Sequence, residues 1–347
     1  MTSATSRSAR SARPAISCVV PAYNEAASLP ALLEQLTAQM RELTDAWEVI
    51  VVDDGSTDAT PDAMREWTAA PGVRYLRLSR NFGKEAALTA GIDHAEGEVV
   101  VLIDADLQHP PELLPRMIDA WRSGADMVCM ARESRSDESF AKRIGTALFY
   151  RLVNHHTAVK IPVDAGDFRL MDRAVVDALK ALPERNRFMK GLYAWVGFRT
   201  ELLHYTPNER HAGVSTFSLK RLIKLALTGV TAFTTFPLRL WSCAGVLVAL
   251  GAMLFGLYTV IDYFIYGNAV AGWATIVTSV MFFSGVQLLS IGILGEYIGR
   301  IFDEVKQRPV YLIGGDQGSG LIRGAPRLLQ GGGATVPPSL PRVVRRA

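Results

Sequence analysis

The sequence predicts an α/β protein with a doubly wound, mostly parallel sheet, followed by interfacial amphipathic helices and a C-terminal pair of transmembrane helices. Two observations predict the sheet: short runs rich in β-branched residues recur up to about residue 132, and helical stretches separate them. A third observation, two long uncharged stretches after residue 239, predicts the membrane part. The two halves of the chain are therefore expected to meet different surroundings.

Five apolar runs are the predicted strands. Most are nearly continuous in apolar residues, which is typical of strands buried on both faces of a parallel sheet. The runs are ISCVVP (16–21), WEVIVVD (47–53), VRYLRL (73–78), EVVVLID (98–104) and ADMVCMA (125–131). Helices are predicted near 27–43, 58–68, 83–95 and 111–122. This alternation indicates helical crossovers between parallel strands.

The stretches 240–261 and 273–295 contain no charged residue and predict two transmembrane helices. A helix of about 20 residues crosses the ~30 Å hydrocarbon core of a bilayer. Arg239 precedes the pair, basic residues from Arg300 to Arg308 follow it, and the linking loop has no Lys or Arg. The positive-inside rule therefore predicts a multi-pass protein of the plasma (inner) membrane with both ends in the cytoplasm.

The composition shifts predict the domain order. Residues 1–15 lack the apolar core of a secretory signal and are expected to form a disordered tail, and 16–215 a cytosolic domain. Residues 216–237 are expected to form a basic amphipathic helix in the membrane interface, with an ordinary surface helix as the alternative. A weaker case of the same kind is 140–156. Residues 238–299 hold the two membrane helices, and 300–347 are expected to be a cytosolic, basic, mostly flexible tail.

Composition excludes several classes of protein. Hydrophobic residues make up 49% of the 347 residues and charged residues 20%, which is apolar for a soluble enzyme and too polar for a transporter with many spans. A net charge of +3 does not favour a nucleic-acid partner. The three cysteines lie in apolar surroundings without metal-site spacing, which indicates buried side chains in a reducing compartment.

Polar clusters follow three of the predicted strands. The clusters are PAYNE (21–25), DDGSTD (53–58) and DADLQ (104–108). The carboxyl ends of parallel strands meet at one edge of the sheet, where ligands bind. Asp104 and Asp106 would point to one side of an extended chain and suit Mg²⁺ or Mn²⁺, with Gln108 as a further oxygen ligand. Turn-capping carboxylates are the alternative. Dinucleotide and P-loop glycine motifs are missing.

Four motifs, in the order PAYNE, DDGSTD, SRNFGKEAALTAGI (79–92) and DADLQHPPEL (104–113), resemble family 2 glycosyltransferases of the GT-A fold. Three later motifs carry the resemblance further: DAGDFRLMDR (164–173), NRFMKG (186–191) and ERHAGVSTF (209–217). The chain is similar to one branch, the polyprenyl-phosphate glycosyltransferases related to dolichyl-phosphate mannose synthase, whose bacterial members carry two C-terminal transmembrane helices. The resemblance covers about residues 16 to 308. The Q-x-x-R-W motif of processive synthases is missing.

The resemblance implies a role for each matching residue. The nucleotide-sugar positions are Pro21, Tyr23, Glu25, Asp53, Asp54, Lys84 and Asp104. The metal positions are Asp104, Asp106 and Gln108. The acceptor-phosphate positions are Arg132, Arg187, Lys190 and Ser215. The catalytic positions are Asp106, Asp167 and Arg169. A cationic set is needed because the acceptor phosphate and the donor diphosphate are both anionic.

Two positions depart from the family pattern. Thr216 stands where many members have the Lys of a G-x-S-K-Y motif, so any role of that Lys would pass to another residue, with Lys220 as a candidate. His109 stands where an acidic residue is common and is interpreted as a loop residue. For each arginine alone a solvated surface role is the alternative, although Arg132 and Arg169 flank strand-like residues.

The implied function is inverting transfer of a sugar, with UDP-glucose as the first choice of donor, to a polyprenyl (undecaprenyl-type) phosphate. The product would serve cell-envelope glycosylation. The alternatives are a GDP-mannose-using synthase and a family 2 transferase with another lipid acceptor, such as a lipid alcohol or ceramide. A membrane-tethered nucleotide-sugar sensor is the non-enzymatic alternative. The expected partners are the nucleotide sugar, the polyprenyl phosphate, the bilayer and a second copy of the chain in a homo-oligomer, but no nucleic acid.

Overall fold

The computed structural model describes residues 10–132, 165–185, 187–206 and 272–322, with scattered helical positions between 241 and 265. The strands are β1 (Ile16–Ala22), β2 (Trp47–Asp53), β3 (Val73–Leu78), β4 (Val99–Leu102), β5 (Met127–Arg132), β6 (Ala165–Asp172), β7 (Thr200–Tyr205) and β8 (Ile313–Gly318). The helices are α1 (Leu29–Leu43), α2 (Thr60–Thr68), α3 (Lys84–His94), α4 (Leu114–Arg122), α5 (Arg173–Ala181), α6 (Met189–Trp195) and α7 (Trp273–Lys306).

The described strands form one sheet in the order β7-β5-β6-β4-β1-β2-β3-β8. β1 pairs in parallel with β2 and β4, and β2 pairs in parallel with β3. β6 lies antiparallel between β4 and β5, and β8 is antiparallel to the edge strand β3. The five strands predicted from apolar runs are all present, and the doubly wound, mostly parallel α/β fold is confirmed.

Two hydrophobic cores cover the two faces of the sheet. Successive strand residues point to opposite faces, so Val20 packs with α1 and α4 while Val19 packs with α3 and α5. Helix α3 lies close to the sheet, because a Cβ on Gly91 would overlap a methyl group of Val19 at 2.1 Å. The small residues of α3 therefore determine the short distance between this helix and the sheet. The described cysteines, Cys18 and Cys129, are free and buried.

The N-terminal segment differs from the prediction of a disordered tail up to residue 15. Residues 10–15 lie against the sheet: the guanidinium of Arg10 donates to Asp126 at 2.9 Å and to the Ala125 carbonyl at 2.8 Å. Thr44 also donates to the carbonyl of Pro14 at 2.7 Å. These bonds hold the entry to β1, so the tail prediction was wrong for this segment. Residues 1–9 lie outside the described residues.

The chain after the second predicted membrane span is also more structured than predicted. Helix α7 continues to Lys306, and residues 313–318 form β8 on the edge of the sheet. The guanidinium of Arg74 in β3 donates to both carboxylate oxygens of Asp316 in β8, at 3.0 and 2.7 Å. Within the segment 300–347, predicted to be mostly flexible, residues 300–306 and 313–318 thus have regular secondary structure, and residues after 322 lie outside the described residues.

One described helical segment, Phe282–Lys306 within α7, is long and apolar enough to cross a membrane. It overlaps the second predicted span but runs beyond its predicted end. Described positions of the first span, 240–261, are helical, and apolar side chains such as Leu247 and Leu254 are exposed there. The segments 140–156 and 216–237, predicted as interfacial helices, lie outside the described residues.

Candidate active site at the carboxyl ends of the strands

The polar clusters after β1, β2 and β4 meet at one edge of the sheet. Ala22, the last residue of β1, is paired with Asp53, the last residue of β2. Beyond these strands, the N–H of Asp54 donates to Ala22 at 2.9 Å, and that of Ile103 donates to Val19 at 3.1 Å. PAYNE, DDGSTD and DADLQ therefore surround one crevice, as the parallel strand order predicts.

The PAYNE segment carries three of the predicted nucleotide contacts. Pro21 is buried inside β1, whereas the ring of Tyr23 is 45% exposed at the edge of the crevice. Glu25 accepts a hydrogen bond from the Ser28 hydroxyl at 2.5 Å. Asn24, with a φ of 58°, exchanges two hydrogen bonds with the DDGSTD loop. Tyr23 is thus free to stack on a planar ring, and the loop that carries it is anchored.

Asp53 is fully buried and surrounded by partners from the protein. One oxygen accepts from the N–H of Ser56 at 2.7 Å, and the other accepts from the Tyr75 hydroxyl at 2.5 Å. Arg77 Nε lies 3.5 Å from the second oxygen. Burial, and then the Asp53 carboxylate, raise the pKa of Tyr75 well above its usual range. The Asp53 carboxylate has no exposed surface in this structure. Its contact with the nucleotide therefore remains a prediction.

Asp54 holds the loop that leads into α3. Its two oxygens accept from the backbone N–H groups of Phe82 at 2.7 Å and of Gly83 at 2.8 Å. Burial raises the pKa of Asp54, and these two N–H groups oppose that rise. Because Gly83 immediately precedes α3, Asp54 fixes the start of the helix. It therefore positions Lys84, and its predicted contact with the nucleotide stays a prediction.

Lys84 connects the two sides of the site. Its Nζ lies 2.6 Å from Asp104 Oδ1 and 2.7 Å from Asp167 Oδ2. Asp104 follows β4, and Asp167 lies in β6. The ammonium group therefore joins the carboxylate predicted to bind the donor to the one predicted to lie near the acceptor. The side chains of Lys84, Asp104 and Asp167 are 45%, 24% and 20% exposed, so solvent reaches the cluster.

The surrounding charges keep most of this cluster ionised. Burial acts to raise the pKa of Asp167, but Lys84 and Lys190 outweigh it and hold that pKa well below its usual range. Burial also opposes the charge of Lys84, but Asp104 and Asp167 overcome it and raise the pKa of Lys84. Glu85 behaves differently: burial, and then the charge of Asp167, raise its pKa to about 7. Glu85 can therefore take up a proton near neutral pH.

The DADLQ turn has an unusual backbone. Leu107 adopts a φ of 60°, which is rare for a leucine, and its side chain is buried in the core. The turn brings the N–H of Gln108 to Asp106 Oδ1 at 3.2 Å. Strained backbone of this kind clusters at functional sites. His109 is buried against Phe168, with ring centroids 5.1 Å apart, and its place in a loop agrees with the interpretation from the sequence.

The donor set fits a hard divalent cation that the substrate helps to hold. Asp104 and Asp106 offer carboxylate oxygens, and Gln108 an amide oxygen, which are the ligands that Mg²⁺ and Mn²⁺ prefer. Among the described residues, no group of three or more His, Cys, Asp or Glu side chains could hold a metal ion. In the usual Mg²⁺ site, one or two carboxylates act together with substrate phosphates and water.

Arg169 is buried under α6, away from solvent. It is 2% exposed, its guanidinium carbon lies 3.6 Å from the centre of the Tyr193 ring, and it donates to the Gly166 carbonyl at 2.7 Å. This placement differs from the expectation that Arg169 faces a phosphate, because a buried guanidinium group offers no surface to a ligand. Arg169 instead stabilises the contact between α6 and β6, two residues from Asp167.

The predicted acceptor-phosphate residues are placed differently from one another. Lys190, on α6, is close enough to act on the charge of Asp167. Arg187 donates to two backbone carbonyl groups, at 3.0 and 2.9 Å, and so stabilises the turn before α6 rather than facing the crevice. Arg132 ends β5, but its side chain lies outside the described residues, as does Ser215. The cationic set described around Asp167 is thus made mainly of lysines.

A cavity of ≈ 280 Å³ lies at the side of the site, between α2, β3 and β8. Its lining residues are Pro61, Arg65, Tyr75, Arg77, Gly314, Gly315 and Gln317. Tyr75 and Arg77 also contact Asp53, so the cavity adjoins the buried end of the DDGSTD cluster. It does not include the DADLQ turn. Strand β8, which the sequence did not predict, therefore contributes to the surroundings of Asp53.

Comparison with known proteins identifies the class of this molecule. Residues 17–180 match the model of "Glycosyl transferase family 2", and residues 236–301 match that of the "GtrB C-terminal hairpin". Together with the mixed sheet and the carboxylates at its strand ends, these matches define a glycosyltransferase with the GT-A fold. The chain belongs to glycosyl transferase family 2.

The relatives are similar over nearly their whole length. The SfII prophage-derived bactoprenol glucosyl transferase of Shigella flexneri is 46% identical over 299 residues, which are 86% of this chain and 97% of that protein. The prophage bactoprenol glucosyl transferase homolog of Escherichia coli (strain K12) is 44% identical over 300 residues, 86% and 98% of the two chains. Among solved structures, glucosyl-3-phosphoglycerate synthase from Mycobacterium tuberculosis, in complex with Mn²⁺, UDP and phosphoglyceric acid, matches with a TM-score of 0.46 and 20% identity, covering 63% of this chain and 76% of that chain.

Proposed function

We propose that the protein transfers a glucosyl group from UDP-glucose to a polyprenyl phosphate of the undecaprenyl type, with inversion at the anomeric carbon. The observation that carries the proposal is the 46% identity, over 97% of its length, to a relative named a bactoprenol glucosyl transferase. Bactoprenol is a polyprenol, and that name specifies a glucosyl group. The lipid-linked product would serve cell-envelope glycosylation.

The reaction forms one bond and breaks one. An oxygen of the acceptor phosphate attacks the anomeric carbon from the face opposite the diphosphate, and UDP leaves with the electron pair of the broken bond. The second pKa of a phosphate monoester is about 6, so the attacking oxygen is ionised at pH 7 and needs no strong base. Asp167, whose pKa is held low, is a weak base. We assign it the orientation of the acceptor.

The cations of the site allow two anionic substrates to approach each other. Lys84 and Lys190 place positive charge around Asp167, where it offsets the repulsion between the acceptor phosphate and the donor diphosphate. Arg169 supports α6, and with it Lys190, through its contact with Tyr193. When bound at Asp104 and Asp106, Mg²⁺ or Mn²⁺ would supply charge neutralisation of the leaving diphosphate.

The acceptor is a membrane lipid, and the C-terminal part of the chain offers a way to reach it. Residues 236–301 match a hairpin family, and α7 contains a segment able to cross a bilayer. We place the protein in the plasma (inner) membrane with two transmembrane helices and a cytoplasmic sheet domain, following the positions of Lys and Arg. The basic helix predicted at 216–237 would lie in the interface. Assembly as a homo-oligomer stays a prediction.

A donor screen tests this function. Membranes containing the protein are supplied with Mg²⁺ or Mn²⁺, undecaprenyl phosphate, and UDP-glucose, GDP-mannose or other UDP-sugars, and the lipid product is identified. We expect a glucosylated lipid only with UDP-glucose and only with undecaprenyl phosphate. A mannosylated lipid would indicate a mannose synthase. Transfer in the absence of undecaprenyl phosphate would indicate another lipid acceptor. Nucleotide binding without turnover would indicate a sensor.

Two carboxamide variants test the roles of the carboxylates. Asp106→Asn should abolish transfer, because it removes an anionic ligand of the metal. Asp167→Asn should lower turnover and raise the KM for the lipid acceptor, because Lys84 and Lys190 lose the carboxylate that positions them. The KM for UDP-glucose should change little. A fully active Asp167→Asn protein beside an inactive Asp106→Asn protein would remove Asp167 from the catalytic residues.

A further inference from the structure

We propose that Lys84 is a positioning residue that occupies Asp104 in the donor-free protein, yields this carboxylate to the metal and donor, and retains Asp167. The inference rests on the proposed function, since it takes Asp104 as a donor-side and Asp167 as an acceptor-side group. In this proposal the side chain of Lys84 couples the donor side of the site to the acceptor side.

The geometry of the ion pairs carries the first step. A single ammonium nitrogen lies 2.6 Å from Asp104, which follows β4, and 2.7 Å from Asp167 in the antiparallel strand β6. Without this nitrogen the two carboxylates would lose the cation that bridges them. A divalent ion on Asp104 would need the same carboxylate, and two cations on one carboxylate repel each other. Lys84 and the metal therefore compete for Asp104.

The exposure of the cluster carries the second step. Lys84 is 45% exposed and Asp104 24%, so water and a metal ion can reach this carboxylate while the ammonium group is still in place. The backbone under Lys84 is fixed, because Asp54 accepts from the N–H of Gly83 and α3 packs closely on the sheet at Gly91. Only the flexible side chain needs to move. Arg169, which is buried under Tyr193, has no such freedom.

Competition predicts two effects of opposite sign when the ammonium group is removed. Metal binding in the absence of donor should become tighter, because Asp104 loses its competing cation. Use of the acceptor should become worse, because Asp167 loses its nearest positive charge and repels the acceptor phosphate. A purely structural role of Lys84 would weaken both. Lys190 separates the two effects, since it acts on the charge of Asp167, whereas the ion pair described at Asp104 is made by Lys84.

The test uses the full chain in detergent and Mn²⁺ alone as the probe, with free Mn²⁺ followed by electron paramagnetic resonance. We expect Lys84→Met to bind Mn²⁺ about tenfold more tightly than the wild type, and Lys84→Arg, which keeps the charge, to resemble the wild type. Lys190→Met should leave Mn²⁺ binding unchanged but raise the KM for polyprenyl phosphate, as Lys84→Met does. Adding Asp104→Asn to Lys84→Met should remove the gain in binding.

Lys84→Gln is prepared alongside, so that poor folding of one variant does not decide the result. Mn²⁺ binding that is no tighter in either neutral variant than in the wild type would overturn the proposal, even if turnover falls. The proposed function fails separately, if the wild type transfers glucose to no polyprenyl phosphate. The Mn²⁺ comparison does not depend on turnover and distinguishes the two failures.

Discussion

Glu85 shows how one ionised neighbour changes the behaviour of a partly buried carboxyl group. Its pKa is raised to about 7 by burial and by the charge of Asp167, whereas an unfolded glutamate titrates near ~4.3. Between these values the folded protein holds a proton that the unfolded chain releases, so stability falls as the pH rises through this range. Above pH 7 the charged Glu85 destabilises the fold.

Glu85→Gln should therefore stabilise the protein at pH 8 and have little effect at pH 4.5. The amide keeps an oxygen to accept from the N–H of Met189, which Glu85 accepts at 3.1 Å. We expect a gain of about 1–2 kcal/mol in the free energy of unfolding at pH 8, allowing for partial solvent screening. Urea unfolding at the two pH values measures it. An equal effect at both would contradict the raised pKa.

Arg169 gives a second prediction, which separates a buried structural role from contact with a phosphate. Arg169→Lys keeps the charge but loses the planar group that stacks on Tyr193 and reaches the Gly166 carbonyl. The free energy of unfolding should fall by about 2 kcal/mol, because a buried cation loses its partners. Thermal unfolding checks this. If the stability is unchanged and turnover is lost, Arg169 would instead have the direct role at a phosphate that the resemblance implied.

The sequence predicted which strand ends carry the site but not what each side chain does there. The clusters converge because the carboxyl ends of parallel strands meet at one edge of the sheet, and the alternation of apolar runs with helical stretches is enough to infer parallel strands. The partners of Asp53 and Arg169 are Tyr75 and Tyr193, which come from other parts of the chain and carry no motif of their own. The contact of Lys84 with two aspartates likewise depends on tertiary structure.

Strand β8, like β6 and β7, is not among the five strands that the sequence predicted. Its sequence, IGGDQG, lacks the alternation of apolar and polar residues that marks a half-buried strand, and most of its residues are exposed. It forms because β3 would otherwise be an open edge, and its backbone supplies the missing hydrogen bonds. Strands held by backbone pairing leave little signal in composition, unlike β1 or β2, whose residues are buried throughout.

Two glycines of β8 provide a matched test of this pairing. Gly318 has a φ of 92°, and a Cβ there would lie 2.3 Å from the Val73 carbonyl oxygen, whereas a Cβ on Gly315 would meet only an Arg77 carbon at 3.9 Å. Gly318→Ala should lower the free energy of unfolding by about 1–3 kcal/mol, and Gly315→Ala should have little effect.

Unfolding experiments and limited proteolysis on the two glycine variants test this prediction. Gly318→Ala should release the C-terminal segment to protease sooner than Gly315→Ala does, because β8 separates from β3 before the rest of the sheet opens. The same rate of cleavage in both variants would mean that β8 is not held by its contacts with β3.

For the whole molecule, the return of the chain from α7 to β8 ties this helix to the sheet domain. Residues 307–312 span at most about 20 Å between α7 and β8. Glu304, near the end of α7, accepts from the N–H of Arg185 at 3.0 and 3.2 Å. The Tyr311 hydroxyl donates to Asp93 at 2.9 Å. These contacts hold the C-terminal end of α7 and the segment after it against the sheet domain.

Weakening the attachment of α7 to the sheet domain should raise the KM for the lipid acceptor and leave the KM for the soluble nucleotide sugar unchanged. Glu304→Ala combined with Tyr311→Phe removes two of the hydrogen-bonding groups that join α7 and the following segment to the sheet domain, while the pairing of β8 with β3 remains. The KM for polyprenyl phosphate should rise about fivefold, since the effective concentration of a membrane acceptor depends on how the domain is tethered, while the KM for the nucleotide sugar stays the same. Glu34→Ala, on the exposed face of α1, is the control. Equal changes in both KM values would indicate general misfolding, and no change in either would mean that these two contacts do not set the position of the domain.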